Sequence, residues 1–267
     1  MHRIVLTRQP GQAGLLEKEL AELNVDVELL PLLDFVLPAD TGGLQQARTE
    51  LAEGVYDWVV LTSPNAVRAL AKMDFFDFEA DVRWGMVGGG TAAIFEQVTD
   101  LRADFVAEHN QSGEGLVAEF DSAEPTGRNA VLLPVSEIAA DTVQTGLQAK
   151  GYTVNRVTAY QTVPADSRLS QDRRLLPAAR GGTVHDAESL AGEVGAVTAV
   201  VLTSPSNARA YAGLAEDFPS LVLPPLLAIG QPTAQAMTAT GLPITAVLPK
   251  PDARSVYRWL LEYLPSY

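Results

Sequence analysis

The chain has 267 residues, 47% of them hydrophobic and 19% charged, with no cysteine and a formal net charge of −14 at pH 7. The missing cysteine removes disulfides, thiol nucleophiles and thiolate metal sites, while the acidic balance, with no basic patch, argues against nucleic acid and anionic lipid as partners. No apolar run approaches the roughly 18 residues of a membrane helix, so a soluble, cytoplasmic protein with two cores of about 130 residues each is expected.

Chain order begins with a predicted strand at Arg3–Thr7, too short an apolar run for a signal peptide, then a helix over Ala13–Leu23 and a strand at Asp26–Leu30. A linker is expected at 36–41. Strands at Trp58–Thr62, Arg83–Val87, Ala103–Val106, Ala130–Pro134 and Thr153–Val157 follow, and a second linker at 160–166. Ala199–Thr203, Leu226–Ile229 and Ile244–Leu248 complete ten predicted strands before a helix over Arg254–Leu264. Short β-branched runs alternating with helix-length stretches are the pattern of βαβ units, hence an α/β fold with parallel sheets.

The hexapeptide Val-Val-Leu-Thr-Ser-Pro occurs at Val59–Pro64 and again at Val200–Pro205, and each copy is followed by Gly-x-x-Thr-Ala, at Gly88–Ala92 and Gly230–Ala234. The offsets are 29 (88 − 59) and 30 (230 − 200), which points to a duplicated domain. The strand pair that follows the first copy, Ala130–Pro134 and Thr153–Val157, has its counterpart at the N-terminus and not after the second copy. The repeat is therefore circularly permuted: one continuous domain at 40–160, one assembled from 1–36 and 165–267, with the two crossings acting as a hinge.

Open parallel sheets bind ligands beyond the carboxyl ends of their strands, where both motifs fall. Ser63 and Ser204 are placed as helix N-caps ahead of Pro64 and Pro205, and helix starts offer free N–H groups and a positive dipole end to an anion. The candidate binding residues are Ser63, Asn65, Gly88, Thr91, Ser204, Ser206, Gly230 and Thr233, joined by Arg8 just beyond the first strand. A lone turn of this kind can be only a helix cap. Four aimed into one interdomain cleft suit a ligand with several carboxylates. Arg68 and Arg209 also follow strand ends and can pair with carboxylates or stay solvated. Gly88, Gly90 and Ala93 match the spacing of a dinucleotide fingerprint, but Pro232 breaks it in the second copy. His2, His109 and His185 lack metal-ligand spacing, so no metal site is expected.

Read together, Val5-Leu6-Thr7-Arg8-Gln9-Pro10, Trp58–Val67, Val157–Thr162 with Tyr160, Val201–Ser206, and Ala228–Ala234 followed by Gly241-Leu242 resemble the uroporphyrinogen-III synthase family over nearly the whole chain. The resemblance implies two flavodoxin-like α/β domains joined by a two-stranded linker ladder, and a lyase that needs no cofactor. It implies hydroxymethylbilane, a linear tetrapyrrole with eight carboxylates, as the small-molecule partner. The family closes it with loss of water and inversion of ring D, in tetrapyrrole (heme) biosynthesis. Tyr160 matches the family's functional tyrosine; its competing role is an amphipathic side chain packed at the hinge. A monomer in transient contact with the upstream deaminase is expected.

Two departures stand out. Many members carry a basic, glycine-containing segment after the strand that matches Val131–Pro134, whereas this chain has Val135–Asp141 with two acids and no cation. The stretch from Ala165 to Val197, with Arg173, Arg174 and Arg180-Gly181-Gly182, is also longer than usual. A catalytically silent module that binds a tetrapyrrole or another anion is thus the alternative function, and a nucleotide-binding enzyme using the Gly88 turn is a third.

Overall fold

The computed structural model describes residues 2–10, 15–77, 81–122, 127–165, 173–175, 197–218, 223–250 and 252–263. Among them the elements run β1 (His2–Leu6), α1 (Leu15–Glu22), β2 (Val25–Leu29), β3 (Leu33–Val36), α2 (Gly42–Ala52), β4 (Trp58–Leu61), α3 (Pro64–Lys72), β5 (Arg83–Met86) and α4 (Gly89–Thr99). Then come β6 (Phe105–Val106), α5 (Gly113–Glu119), β7 (Ala130–Ser136), α6 (Thr142–Ala149) and β8 (Thr153–Pro164). The last are β9 (Ala199–Leu202), α7 (Pro205–Asp217), β10 (Leu226–Ile229), α8 (Gly230–Ala239), β11 (Ala246–Leu248) and α9 (Ala253–Tyr263).

The chain divides into two compact units, the first of Met1–Asp34, Pro164–Arg168 and Leu176–Tyr267, the second of Phe35–Val163 and Leu169–Leu175. The first holds a five-stranded sheet in the order β11-β10-β9-β1-β2, and each neighbouring pair in it is parallel. The second holds a six-stranded sheet, β3-β8-β7-β4-β5-β6, with parallel pairs from β8 through to β6. Numbered within its own unit, the first sheet has the 2-1-3-4-5 order of doubly wound flavodoxin-type folds. The second matches it strand for strand, β8-β7-β4-β5-β6 taking the places of β2-β1-β9-β10-β11.

Sequence explains why the central strands sit where they do. Trp58-Val59-Val60-Leu61 and Ala199-Val200-Val201-Leu202 are buried at every position, because helices cover both faces of a parallel sheet and each face needs apolar side chains. Val59 and Leu61 pack with Leu44, Leu70 and Phe95 of α2, α3 and α4, whereas Trp58 and Val60 pack with Leu116 and Leu147 of α5 and α6. In the first unit Val200 and Leu202 meet Tyr211 and Met237 of α7 and α8, and Ala199 and Val201 meet Leu20 and Trp259 of α1 and α9.

Nine of the expected strands lie within two residues of their predicted bounds. The exception is β8, which was expected to stop at Val157 and runs to Pro164. An eleventh strand, β3, was not expected; it lies beside β8 at the edge of the sheet, and Val36 also forms an antiparallel bridge with Arg174. The first residues of the helix predicted from Ala13, the last of that ending at Leu264, and most of the long stretch after Ala165, including Arg180-Gly181-Gly182 and His185, lie outside the described residues.

Candidate active site

In the 2-1-3-4-5 order, adjacent crossovers leave the sheet in opposite directions at the boundary between β1 and β9, and ligands bind at such switch points. The matching boundary in the second unit lies between β7 and β4. The Thr-Ser-Pro turn comes directly after β9 in one unit and after β4 in the other. Ser63 and Ser204 both adopt extended backbone and cap their helices, accepting the N–H of Ala66 and of Asn207 at 3.1 Å each, with proline in the first turn. A capped start of this kind leaves other amides of the turn free to meet an anion.

Three strand ends converge in the second unit. Tyr160 of β8 is 8% exposed, with its hydroxyl 3.1 Å from Ser63 Oγ and its ring edge-on to Phe35 at 6.0 Å. Ser136, the last residue of β7, is 9% exposed and is paired with Tyr160 across the β7–β8 ladder. Burial raises the phenol pKa above its ordinary value, and the polar Ser63 and Ser136 side chains oppose that rise. The result is a phenol that stays protonated at neutral pH and keeps its proton available as a hydrogen-bond donor.

The remaining expected residues divide between the two units. Asn65 is buried and accepts a hydrogen bond from Arg68 Nη1 at 3.1 Å, and burial lowers the pKa of that guanidinium. Gly88 caps α4 with extended backbone; a side chain there would run into Gln111, 2.5 Å from where its Cβ would sit. Thr91, one turn into α4, is buried, its N–H bonded to the Gly88 carbonyl at 3.1 Å. Gly90 has open space where a Cβ would lie.

In the first unit Gly230 opens α8 at φ +75, a conformation that glycine adopts without strain. Thr233 is buried and Ser206 half-buried. Arg8 is half-buried; burial lowers its pKa and the nearby Glu17 carboxylate opposes that. Glu17 is affected in the mirror sense, raised by burial and lowered by Arg8, and its Oε1 is buried without a hydrogen-bond partner among the described residues. Arg209 is exposed, as is His109, which lies 3.4 Å from Glu119.

Sequence reasoning missed three participants. Ser136 was seen only as part of an acidic departure. Arg156, on β8, bonds Asp141 and the Ala139 carbonyl, and Gln161 donates to Glu137 Oε2 at 2.7 Å. Both acids of the 135–141 segment are thus partnered from β8. Alternation along β8 was the available signal, had the strand been extended past Val157.

Among the described residues no three His, Asp or Glu side chains gather to hold a metal ion, and no helix is long and apolar enough to cross a membrane. Residues 15–258 match the family model described as uroporphyrinogen-III synthase HemD. The chain is 29% identical over 244 residues to the chloroplastic uroporphyrinogen-III synthase of Oryza sativa subsp. japonica, covering 90% of this chain and 73% of that protein. In fold it is similar to uroporphyrinogen-III synthetase of Helicobacter pylori 26695, with a TM-score of 0.58 at 16% identity, over 99% of this chain and 100% of that one. A mutant uroporphyrinogen III synthase of Thermus thermophilus gives 0.56 at 16% identity and the same coverage. With a family model spanning most of its length, the chain belongs to the uroporphyrinogen-III synthase family.

Proposed function

We propose that the chain closes hydroxymethylbilane to uroporphyrinogen III, with Tyr160 assisting departure of the terminal hydroxyl. The observation that carries this reading is the buried, neutral phenol of Tyr160, 3.1 Å from the Ser63 hydroxyl at the switch point of its sheet. As the C–O bond breaks, its electron pair goes to the oxygen, which takes up a proton and leaves as water. The pyrrole nitrogen supplies the electrons that turn the carbon into a conjugated azafulvene cation. The substituted carbon of ring D attacks it, and the spiro intermediate fragments and recloses with that ring inverted.

Burial disfavours tyrosinate, so Tyr160 helps chiefly by a hydrogen bond that tightens as charge grows on the leaving oxygen. Any proton it gives up is recovered when the closed macrocycle loses one. Choice of the substituted carbon over the free one is a matter of how the bilane is folded. In the unit that holds Tyr160, the N-termini of α3 and α4 offer dipole ends and amides to the bilane's carboxylates. In this reading the enzyme is a cytosolic monomer in brief contact with the deaminase that supplies the bilane; the cysteine-free composition is consistent with a reducing compartment.

Hydroxymethylbilane closes unaided to the type I isomer, so the decisive assay gives freshly made substrate to the purified protein, then oxidises and chromatographs the product. Type III should predominate. A type I to type III ratio equal to that of the protein-free control rejects the catalytic reading and leaves a silent anion-binding module.

A further inference from the structure

The acidic segment that departs from the family pattern lies where β8 loses a neighbour. Up to Val135, which pairs with Thr158, β7 and β8 run in step; the register then shifts, and the last pair is Ser136 with Tyr160. A shift of this kind disrupts the ladder locally, and here it falls directly before the residue that carries the phenol. Past Tyr160 the ladder with β7 has ended, so further support on that side has to come from the turn that follows β7.

Residues 137–141 supply it at two points. Glu137 donates its N–H to the Tyr160 carbonyl at 3.1 Å, and its carboxylate accepts from Gln161 Nε2 at 2.7 Å, so one residue grips two consecutive positions of β8. On the other side of the phenol along the strand, Arg156 bonds both the Asp141 carboxylate and the Ala139 carbonyl. Asp141 stands at the N-cap of α6, where an aspartate ordinarily accepts an amide of its own helix, yet its side chain makes no such bond and takes Arg156 instead. The turn is closed by the Ala139 N–H on the Ser136 carbonyl at 3.1 Å, and its far end is tied to α6 by the Thr145 N–H on the Asp141 carbonyl at 2.8 Å.

We infer that Glu137 and Gln161 are positioning residues: their hydrogen bond holds the carboxyl end of β8 against the 137–141 turn, and so keeps the Tyr160 phenol within reach of Ser63 and of the substrate's departing hydroxyl. The inference rests on the role proposed for Tyr160. The acids of this segment then act on the protein's own strand and not on the bilane, whose carboxylates they would repel.

The test compares the full chain with Gln161→Ala, with Glu137→Ala, and with the swapped pair Glu137→Gln and Gln161→Glu, which keeps an amide facing a carboxylate. Each alanine should lower kcat about 5-fold, near the worth of one ordinary hydrogen bond, with KM and Tm unchanged, and the swap should restore the rate. In a Tyr160→Phe background Gln161→Ala should add no further loss, since the pair acts through the phenol. An unchanged kcat in the alanine variants overturns the inference, as does a loss that the swap does not rescue or that persists without the phenol hydroxyl. Should the unaltered protein make no excess of type III isomer, the functional reading fails by itself, and 3-fluorotyrosine at position 160 still tests the brace. Its 19F resonance should shift or broaden in Gln161→Ala and return to its original form in the swapped pair. Any other pattern rejects the brace.

Discussion

The two units build one strand order from one pair of motifs, and they finish the shared turn differently. In the first, Thr203 Oγ1 donates to the Thr7 carbonyl at 3.0 Å, its N–H reaches Thr7 Oγ1 at 3.3 Å, and Asn207 Nδ2 donates to Thr203 Oγ1 at 3.0 Å. Thr7, fully buried, closes the set by donating to the Val201 carbonyl at 3.1 Å. These groups satisfy one another. In the second, the serine of the turn faces a tyrosine from a strand two places away in the sheet. The two turns share one sequence motif, and among the described residues only Ser63 has a phenol hydroxyl against it.

Two buried tyrosines, Tyr160 in the second unit and Tyr211 in the first, give the sharpest contrast. The Tyr160 hydroxyl has Ser63 as its partner at 3.1 Å. Tyr211, fully buried on α7, has a hydroxyl with no partner among the described residues, and burial pushes its phenol up to about 12. Tyr160→Phe should lower turnover by roughly 10-fold or more, since general acid help is worth about 10² to 10⁴, and shift stability by no more than about 1 kcal/mol. Parallel kcat and melting measurements check this. Activity and stability lost in proportion would make the hydroxyl a structural bond, and the contrast with Tyr211 would collapse.

Tyr211→Phe should do the opposite, leaving turnover intact and stabilising the fold by about 1 kcal/mol, because a buried hydroxyl without a partner is removed. Calorimetry should show a higher Tm. The alkaline limb gives an independent reading. Folded Tyr211 holds its proton more tightly than the unfolded chain, whose phenol titrates near 10. The stability tied to its protonation is therefore complete below about pH 10 and drains away as pH rises toward 12. Tyr211→Phe should flatten that slope, and an unchanged slope would show that the phenol is hydrated.

The smallest effect separates the two caps. Ser63→Ala and Ser204→Ala should each cost about 1 kcal/mol of stability, since each deletes one N-cap hydrogen bond. Only Ser63→Ala should also slow turnover at saturating substrate. Equal kinetic losses from both would mean that the units share the chemistry, and that Tyr160 is not what distinguishes them.

Much of the scaffold was legible because it is written locally. Ala199–Leu202 and Leu226–Ile229 are short apolar runs with turn formers behind them, and the repeated motifs fixed which strand ends carry helix starts. β3 was missed because Leu33-Asp34-Phe35-Val36 carries an acid in its middle; Asp34 is wholly buried, a placement that depends on the distant chain packed around it. β8 ran past its expected end for a related reason, since Thr158, Gln161 and Thr162 look like loop until the strand beside them is known. Ser63 and Tyr160 could be found from motifs. Ser136 could not, because a one-residue shift in pairing decides whether Tyr160 or Ala159 faces it, and nothing in the serine's own neighbourhood states the register.

The sheet of the first unit sets an order of events on the ribosome. β1 has β2 on one side and β9 on the other, and its Arg3 N–H reaches Thr198, 195 residues away. At roughly 5 to 20 residues per second, β1 waits on the order of ten seconds or more for that neighbour. The strands β4 to β8 emerge meanwhile and can complete their sheet. Throughout the wait Ile4, Val5 and Leu6, all fully buried in the finished fold, have no second neighbouring strand, and open strand edges of this kind are where chains aggregate or recruit chaperones. A unit whose strands come from two distant parts of the chain thus leaves β1 open on one side until β9 arrives.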